Sequence, residues 1–238
     1  MKPKQYAIKF QKPEEMNKLK KNTPARIGIG HCGPRYTTEA YLDYRGAQAR
    51  ANDAVSMEVP KEVVEKLGVF EVRTKCSNKY EMITRPDWGR VFSAETREYI
   101  REQCAHDVDV QIYFGDGLSS PCIAANIPDL YPALRAGLEA ENLTVGTPFF
   151  VRYCRVNTAR VIGPLVNARL TCVLIGERPG LITNESMSAY MAVNARPEMS
   201  ESDYKVVSNI SRVGMPPVEA AAYIVELIVN MLKEAEKK

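Results

Sequence analysis

Beyond residue 107 the chain alternates unbroken apolar runs with longer stretches whose apolar residues recur at helical spacing. "VDVQIYF" (108–114), "TPFFVRYC" (147–154) and "LTCVLI" (170–175) predict strands. Between them, the stretch running through "LYPALRAGLEAE" and residues 157–168 predict helices. Strands alternating with helices imply an α/β fold with a mostly parallel sheet flanked by helices. A last helix is predicted from Pro216 or Pro217 to about Lys233. Its stripe of Ala220, Ile224, Leu227, Ile228, Met231 and Leu232 is most simply core packing.

The first half is less regular. "ARIGIGHCGPR" (25–35) predicts a short strand running into glycines. Thr38 is the candidate cap of a helix reaching about Val55, and a short helix from Pro60 to Leu67 stops at Gly68. "VFEVRTKC" and "YEMIT" flank Ser77-Asn78-Lys79, which predicts a hairpin. Ser93 caps a helix to about Cys104. The pattern divides the chain into a basic N-terminal tail (1–24), a helix-rich portion with a hairpin (25–105) and the α/β portion (106–238).

The strand "LTCVLI" stops at Gly176-Glu177-Arg178-Pro179-Gly180. Proline fixes its own φ and restricts the residue before it, while glycine admits backbone angles closed to other residues, so the turn is tight and stiff. Ligands of open α/β sheets bind beyond the C-terminal ends of the strands, which makes Glu177 and Arg178 candidate contacts. The alternative is a surface ion pair of small energetic consequence.

At 238 residues, 45% hydrophobic and 26% charged, the chain can bury a substantial core. It has no apolar run of bilayer-spanning length and no hydrophobic signal region, so a soluble intracellular protein is expected. The net charge of +3 is uneven: seven lysines and two glutamates in residues 1–22 give that tail +5, leaving −2 for the remainder. A body of that charge is not a basic nucleic-acid surface, and the tail reads as an arm outside the core. The six cysteines, at 32, 76, 104, 122, 154 and 172, form no C-x-x-C and are expected to be reduced packing residues. His31 and His106 lack metal-ligand spacing, and no metal site is expected.

Gly28, Gly30 and Gly33, with Asp53 beyond, match a dinucleotide fingerprint. In that motif the acid ends the second strand of a βαβ unit, whereas Asp53 falls late in a predicted helix, so a nicotinamide oxidoreductase is the weakest of the functional alternatives. There is no nucleophile elbow either, and no catalytic residue is assigned.

"GPR" (33–35), "TRPDWGR" (84–90), "DVQIYFGDGLS" (109–119), "VGTPFFVRYCRV" (145–156), "LIGERPGL" (174–181), "SNI" (208–210) and "PPVEAAAYIV" (216–225) together carry a signature. In this order they resemble the small subunit of ethanolamine ammonia-lyase over roughly residues 25–233. The resemblance implies a Rossmann-like α/β chain that works with a barrel-type large subunit and adenosylcobalamin to convert ethanolamine to acetaldehyde and ammonia. It implies cobalamin contacts at Val156, Glu177 and Val206, and a cytoplasmic enzyme with a bacterial microcompartment as the alternative address. Family members keep cobalamin's own base on cobalt and lack a D-x-H-x-x-G loop, as this chain does. Four positions depart from the family pattern: Val206 stands for a contacting cysteine, Tyr204 and His31 for arginines, and Ile182 for a glycine. These departures leave a divergent binding or assembly subunit without catalysis as the alternative function. Neither nucleic acid nor membrane is an expected partner.

Overall fold

A computed structural model describes residues 12–23 and 25–237. A six-stranded sheet organises the chain, in the order β3 (Phe70–Arg73), β5 (Phe149–Arg152), β4 (Val110–Gly115), β6 (Leu170–Gly176), β7 (Met187–Val193), β8 (Lys205–Ile210). The first four strands are parallel, and β7 and β8 extend the sheet antiparallel. Every residue of β4, β5 and β6 is buried, which is why these strands read as unbroken apolar runs: helices cover both faces.

The helices α6 (Pro121–Ala140) and α8 (Pro217–Glu236) cover one face over Ile112, Phe114, Phe150 and Leu174. α5 (Ala94–Gln103) and α7 (Ala159–Val166) cover the other over Tyr113, Phe149, Val151 and Val173. In α8 the buried Ala220, Ile224, Ile228 and Leu232 recur every four residues, as the apolar stripe implied. The chain leaves β4 through α6 for β5, then crosses back through α7 to β6. The loops after β4, β5 and β6 therefore meet at one edge of the sheet, the usual ligand edge of this architecture.

Several local expectations give way. "YEMIT" is not a hairpin strand but part of α4 (Lys79–Thr84), because Asn78 accepts from the Glu81 amide as its cap and the Glu81 carboxylate accepts from the Ser77 amide. Its supposed partner strand, β3, pairs instead with β5 at the edge of the large sheet. The segment 25–35 joins no large sheet; it turns through a two-residue hairpin, β1 (His31–Cys32) and β2 (Arg35–Tyr36). Gly28 and Gly33 take positive φ there, and Asp53 sits near the end of α2 (Thr38–Ser56), so the dinucleotide geometry is absent. The α2 cap is Thr37, one residue before the expected Thr38. β7 and β8 extend the sheet beyond the strands that the apolar runs predict. α3 (Lys61–Leu67) ends at Gly68 in the left-handed region, as expected. In the tail, α1 (Pro13–Lys21) buries no residue; residues 1–11 and Pro24, on which the rest of the tail assignment falls, lie outside the described residues.

All six cysteines are free, and only Cys32 is exposed. Burial pushes the thiols of Cys104, Cys154 and Cys172 up to about 12 and raises that of Cys122 further. Since the thiolate is the reactive form, a chromogenic disulfide reagent is expected to titrate one thiol rapidly in the native chain and all six after denaturation. Rapid native reaction at two or more thiols would show that the core opens on the assay timescale.

Candidate functional site

Glu177 stands where β6 ends, and its side chain turns back toward β7 and β8. Oε1 accepts from Ser188 Oγ at 2.5 Å and from the Asn209 amide at 2.7 Å, and Oε2 accepts from Ser186 Oγ at 2.5 Å. Arg178 is exposed and makes no ion pair among the described residues, so the surface-pair reading of this turn does not hold. A carboxylate has about four acceptor sites; three are taken, which leaves one on Oε2 for a further donor. Gly176 is required by close backbone approach: a Cβ there would fall on the Ser119 carbonyl oxygen and lie 2.5 Å from that of Asp116. The Leu118 amide donates to the Gly176 carbonyl at 3.0 Å, joining the loops that follow β4 and β6.

A second set of contacts holds the end of β5. Tyr153 takes φ of +59°, a left-handed conformation unusual for a bulky residue. Asp116, fully buried, accepts from the Tyr153 amide at 3.0 Å and the Cys154 amide at 2.8 Å. Lys79, 4% exposed, pairs with Asp116 at 2.8 Å and donates to the Gly117 carbonyl at 3.0 Å. On the far side of the turn Thr74 Oγ1 donates to the Tyr153 carbonyl, and the Tyr153 hydroxyl donates to Glu58 at 2.6 Å. Burial, reinforced by Glu58, raises the Tyr153 phenol well above its ordinary value. The Arg155 amide donates to the Gly89 carbonyl and its guanidinium to the Met82 carbonyl; burial lowers its pKa. Val156 follows directly, at the start of a 3-10 turn, Val156–Thr158.

Val156 and Val206 lie on the same side of the sheet. Val156 and Tyr190 pack, half-buried, against the cluster of Ala159, Ala192, Met199 and Tyr204. Tyr190 is the register partner of Val206, so both point from one face, and Ser188, two residues earlier on β7, points the same way. No flanking helix covers Val206, which is 44% exposed. Tyr204 is buried: its ring meets Tyr190 edge-on and its hydroxyl donates to Asn157 Oδ1 at 3.4 Å. Burial raises its phenol, opposed in part by Arg160.

Thus the structure brings Val156, Glu177 and Val206 to one side of the antiparallel extension and its ligand edge. His31, in β1, and Ile182, in the loop that follows Glu177, are both exposed. Two surface grooves among the described residues, of about 300 and 380 Å³, are lined by none of Val156, Glu177 and Val206. Sequence patterns missed Asp116, Lys79, Ser186 and Ser188; the glycines beside Asp116 were the only local signal. Among the described residues no group of His, Cys, Asp and Glu side chains could hold a metal ion, and no helix is long and apolar enough to cross a membrane.

Residues 13–237 match the family model "Ethanolamine ammonia-lyase light chain (EutC)". An ethanolamine ammonia-lyase small subunit of Clostridium tetani is 48% identical over 221 residues, covering 93% of this chain and 75% of the relative. That of Listeria monocytogenes serovar 1/2a is 46% identical over 217 residues, 91% of this chain and 74% of the relative. That of Clostridium acetobutylicum is 46% identical over 223 residues, 94% of this chain and 92% of the relative. With the matched model spanning nearly all of the described sheet and helices, the chain belongs to the ethanolamine ammonia-lyase small-subunit family.

Proposed function

We infer that this chain is the small subunit of an adenosylcobalamin-dependent ethanolamine ammonia-lyase, and that it supplies one wall of the cobalamin site to a barrel-type large subunit. The observation that carries this reading is that Val156 packs on the same cluster as Tyr190, whose face of the sheet also holds Val206 and the Ser188 that donates to Glu177. Drug-sized ligands fill clefts of about 300 to 1,000 Å³, and a corrinoid with its nucleotide arm is larger. The two grooves of about 300 and 380 Å³ are too small to enclose one. An open wall completed by a partner fits the size of the ligand.

The donor set fits as well. Glu177 keeps an acceptor site that suits an amide N–H or hydroxyl of the cofactor's arms, held in place by Ser186, Ser188 and the Asn209 amide. Val156 and Val206 present apolar surface for packing. The radical chemistry that turns ethanolamine into acetaldehyde and ammonia is what adenosylcobalamin supplies when bound. This chain's own work is to bind, orient and exclude water, and no side chain here is assigned as acid or base. Because Val206 is uncovered and Tyr204 is turned into the protein, the substitution of cysteine by valine keeps a contact surface rather than filling it. That favours a working subunit over a non-catalytic assembly subunit.

The test is reconstitution. Mixed with its cognate large subunit and adenosylcobalamin, the chain is expected to give acetaldehyde from ethanolamine, and neither subunit alone should do so. A folded complex that fails to take up cobalamin would overturn the assignment. A cytoplasmic address, or encapsulation in a microcompartment, would be read by fractionation of the native host.

A further inference from the structure

We propose that Asp116 is a positioning residue of the cofactor face, one buried carboxylate that sets both the Val156 turn and the Glu177 loop. The proposal rests on the cofactor reading above and deepens it. Asp116 follows β4, the strand that lies between β5, whose turn leads to Val156, and β6, whose end carries Glu177. Its carboxylate accepts both amides of Tyr153 and Cys154, the last regular hydrogen bonds before Arg155 and Val156. Its backbone carbonyl lies against Gly176, and the following Gly117, at φ of +50°, approaches Gly176 so closely that a Cβ on either would meet the other loop's backbone. Glu177 is the next residue.

Lys79 completes the device. Its ammonium bonds the Asp116 carboxylate and the Gly117 carbonyl together, so the carboxylate cannot rotate without unpairing a buried cation. Lys79 begins α4, and the segment that follows is the "TRPDWGR" stretch, for which the cofactor contacts alone give no role. Its place in the fold gives it one: Gly89 accepts from the Arg155 amide and a Cβ there would strike Arg155 Cγ at 2.8 Å, while Met82, in α4 just before the stretch, holds the Arg155 guanidinium with its carbonyl. Thr74 holds the Tyr153 carbonyl from below. The β5 turn is thus gripped on every side by residues 74–90 and Asp116. A left-handed tyrosine persists only where its surroundings over-determine it.

An amide oxygen at position 116 can serve one of the two amides and its NH₂ opposes the other. The experiment compares Asp116→Asn with Ile228→Ala, a remote α8 core change chosen to lower the melting temperature comparably. Each is reconstituted with the large subunit, well below its melting temperature, and titrated with hydroxocobalamin while amide exchange is followed. Asp116→Asn is expected to bind about tenfold or more weakly than Ile228→Ala, the loss that one charged hydrogen bond implies. Exchange should quicken at 153–158 and 177–188 and stay unchanged in α8. Equal affinity and equal exchange in the two variants would overturn the proposal. Should Asp116→Asn not fold, Lys79→Gln, which removes the ammonium that ties the Asp116 carboxylate to the Gly117 carbonyl, is read by the same criteria. If the parent complex takes up no hydroxocobalamin, the cofactor reading fails, and the exchange pattern alone decides whether Asp116 couples the two loops.

Discussion

Gly176→Ala is expected to destabilise the chain by about 3 kcal/mol or more, the upper range for forcing atoms into a packed site, and so to lower the melting temperature by roughly 6 to 12 °C for a chain of this size. The added Cβ meets the backbone of the β4 loop: the carbonyl oxygens of Ser119 and Asp116 and, at 2.9 Å, the Ser119 amide. Backbone cannot rotate aside as a long side chain does. Either β6 must move away from the β4 loop, taking Glu177 with it, or the Leu118 to Gly176 bond must break. Gly180→Ala is the internal control. The nearest atom there is the Thr183 carbonyl oxygen at 3.8 Å, an ordinary contact, and that variant should melt within about 2 °C of the parent. Thermal denaturation of both variants decides the matter: equal melting temperatures would mean that the two loops are not in the close approach described.

That contrast also shows what the sequence could and could not convey. Both glycines sit in the same conspicuous Gly-Glu-Arg-Pro-Gly turn, yet only the first is held by a distant loop. β4, β5 and β6 were legible because strands buried on both faces are apolar at every position. β7 was legible in principle, since Met187, Ala189 and Met191 face the core while Ser188 and Tyr190 face away. β8 was not: an edge strand opposite a register shift, with Val207 and Ile210 its only buried residues, has no period of two to read. α4 is ambiguous from its apolar residues because a run as short as "YEMIT" suits a strand or a helix, and it is the cap at Asn78, with Glu81 three residues on, that decides for the helix.

The site divides in the same way. Glu177 announced itself through the stiff turn, and Val156 and Val206 through a family likeness. Its anchors Ser186, Ser188 and Asn209 come from strands and loops that the apolar pattern did not resolve. Lys79 is the clearest case. A lysine between an asparagine and a tyrosine reads as a solvated turn residue, and only the fold shows it buried against Asp116.

Glu177→Gln is expected to weaken cobalamin binding by about 10- to 100-fold in the reconstituted complex while lowering stability only modestly. A glutamine oxygen can keep Oε1's place, accepting from Ser188 Oγ and the Asn209 amide. The amide nitrogen then faces Ser186, whose hydroxyl can rotate from donor to acceptor, so the strands stay tied at a cost of about 1 kcal/mol. What cannot be recovered is the free acceptor site on Oε2, which becomes an N–H donor. A ligand donor that met a carboxylate now meets another donor, and a lost charged hydrogen bond costs about 1.5 to 3 kcal/mol, with each tenfold of affinity worth about 1.4. Glu177→Ala separates the two roles, because it also leaves the Asn209 amide without its acceptor and should lower the melting temperature well below that of the glutamine variant. Absorbance titration with cobalamin, run beside thermal denaturation, distinguishes the cases. Parent-like affinity in Glu177→Gln with a marked fall in stability for Glu177→Ala would make Glu177 a clamp between β6, β7 and β8 alone, and would leave the cofactor contact to the valines.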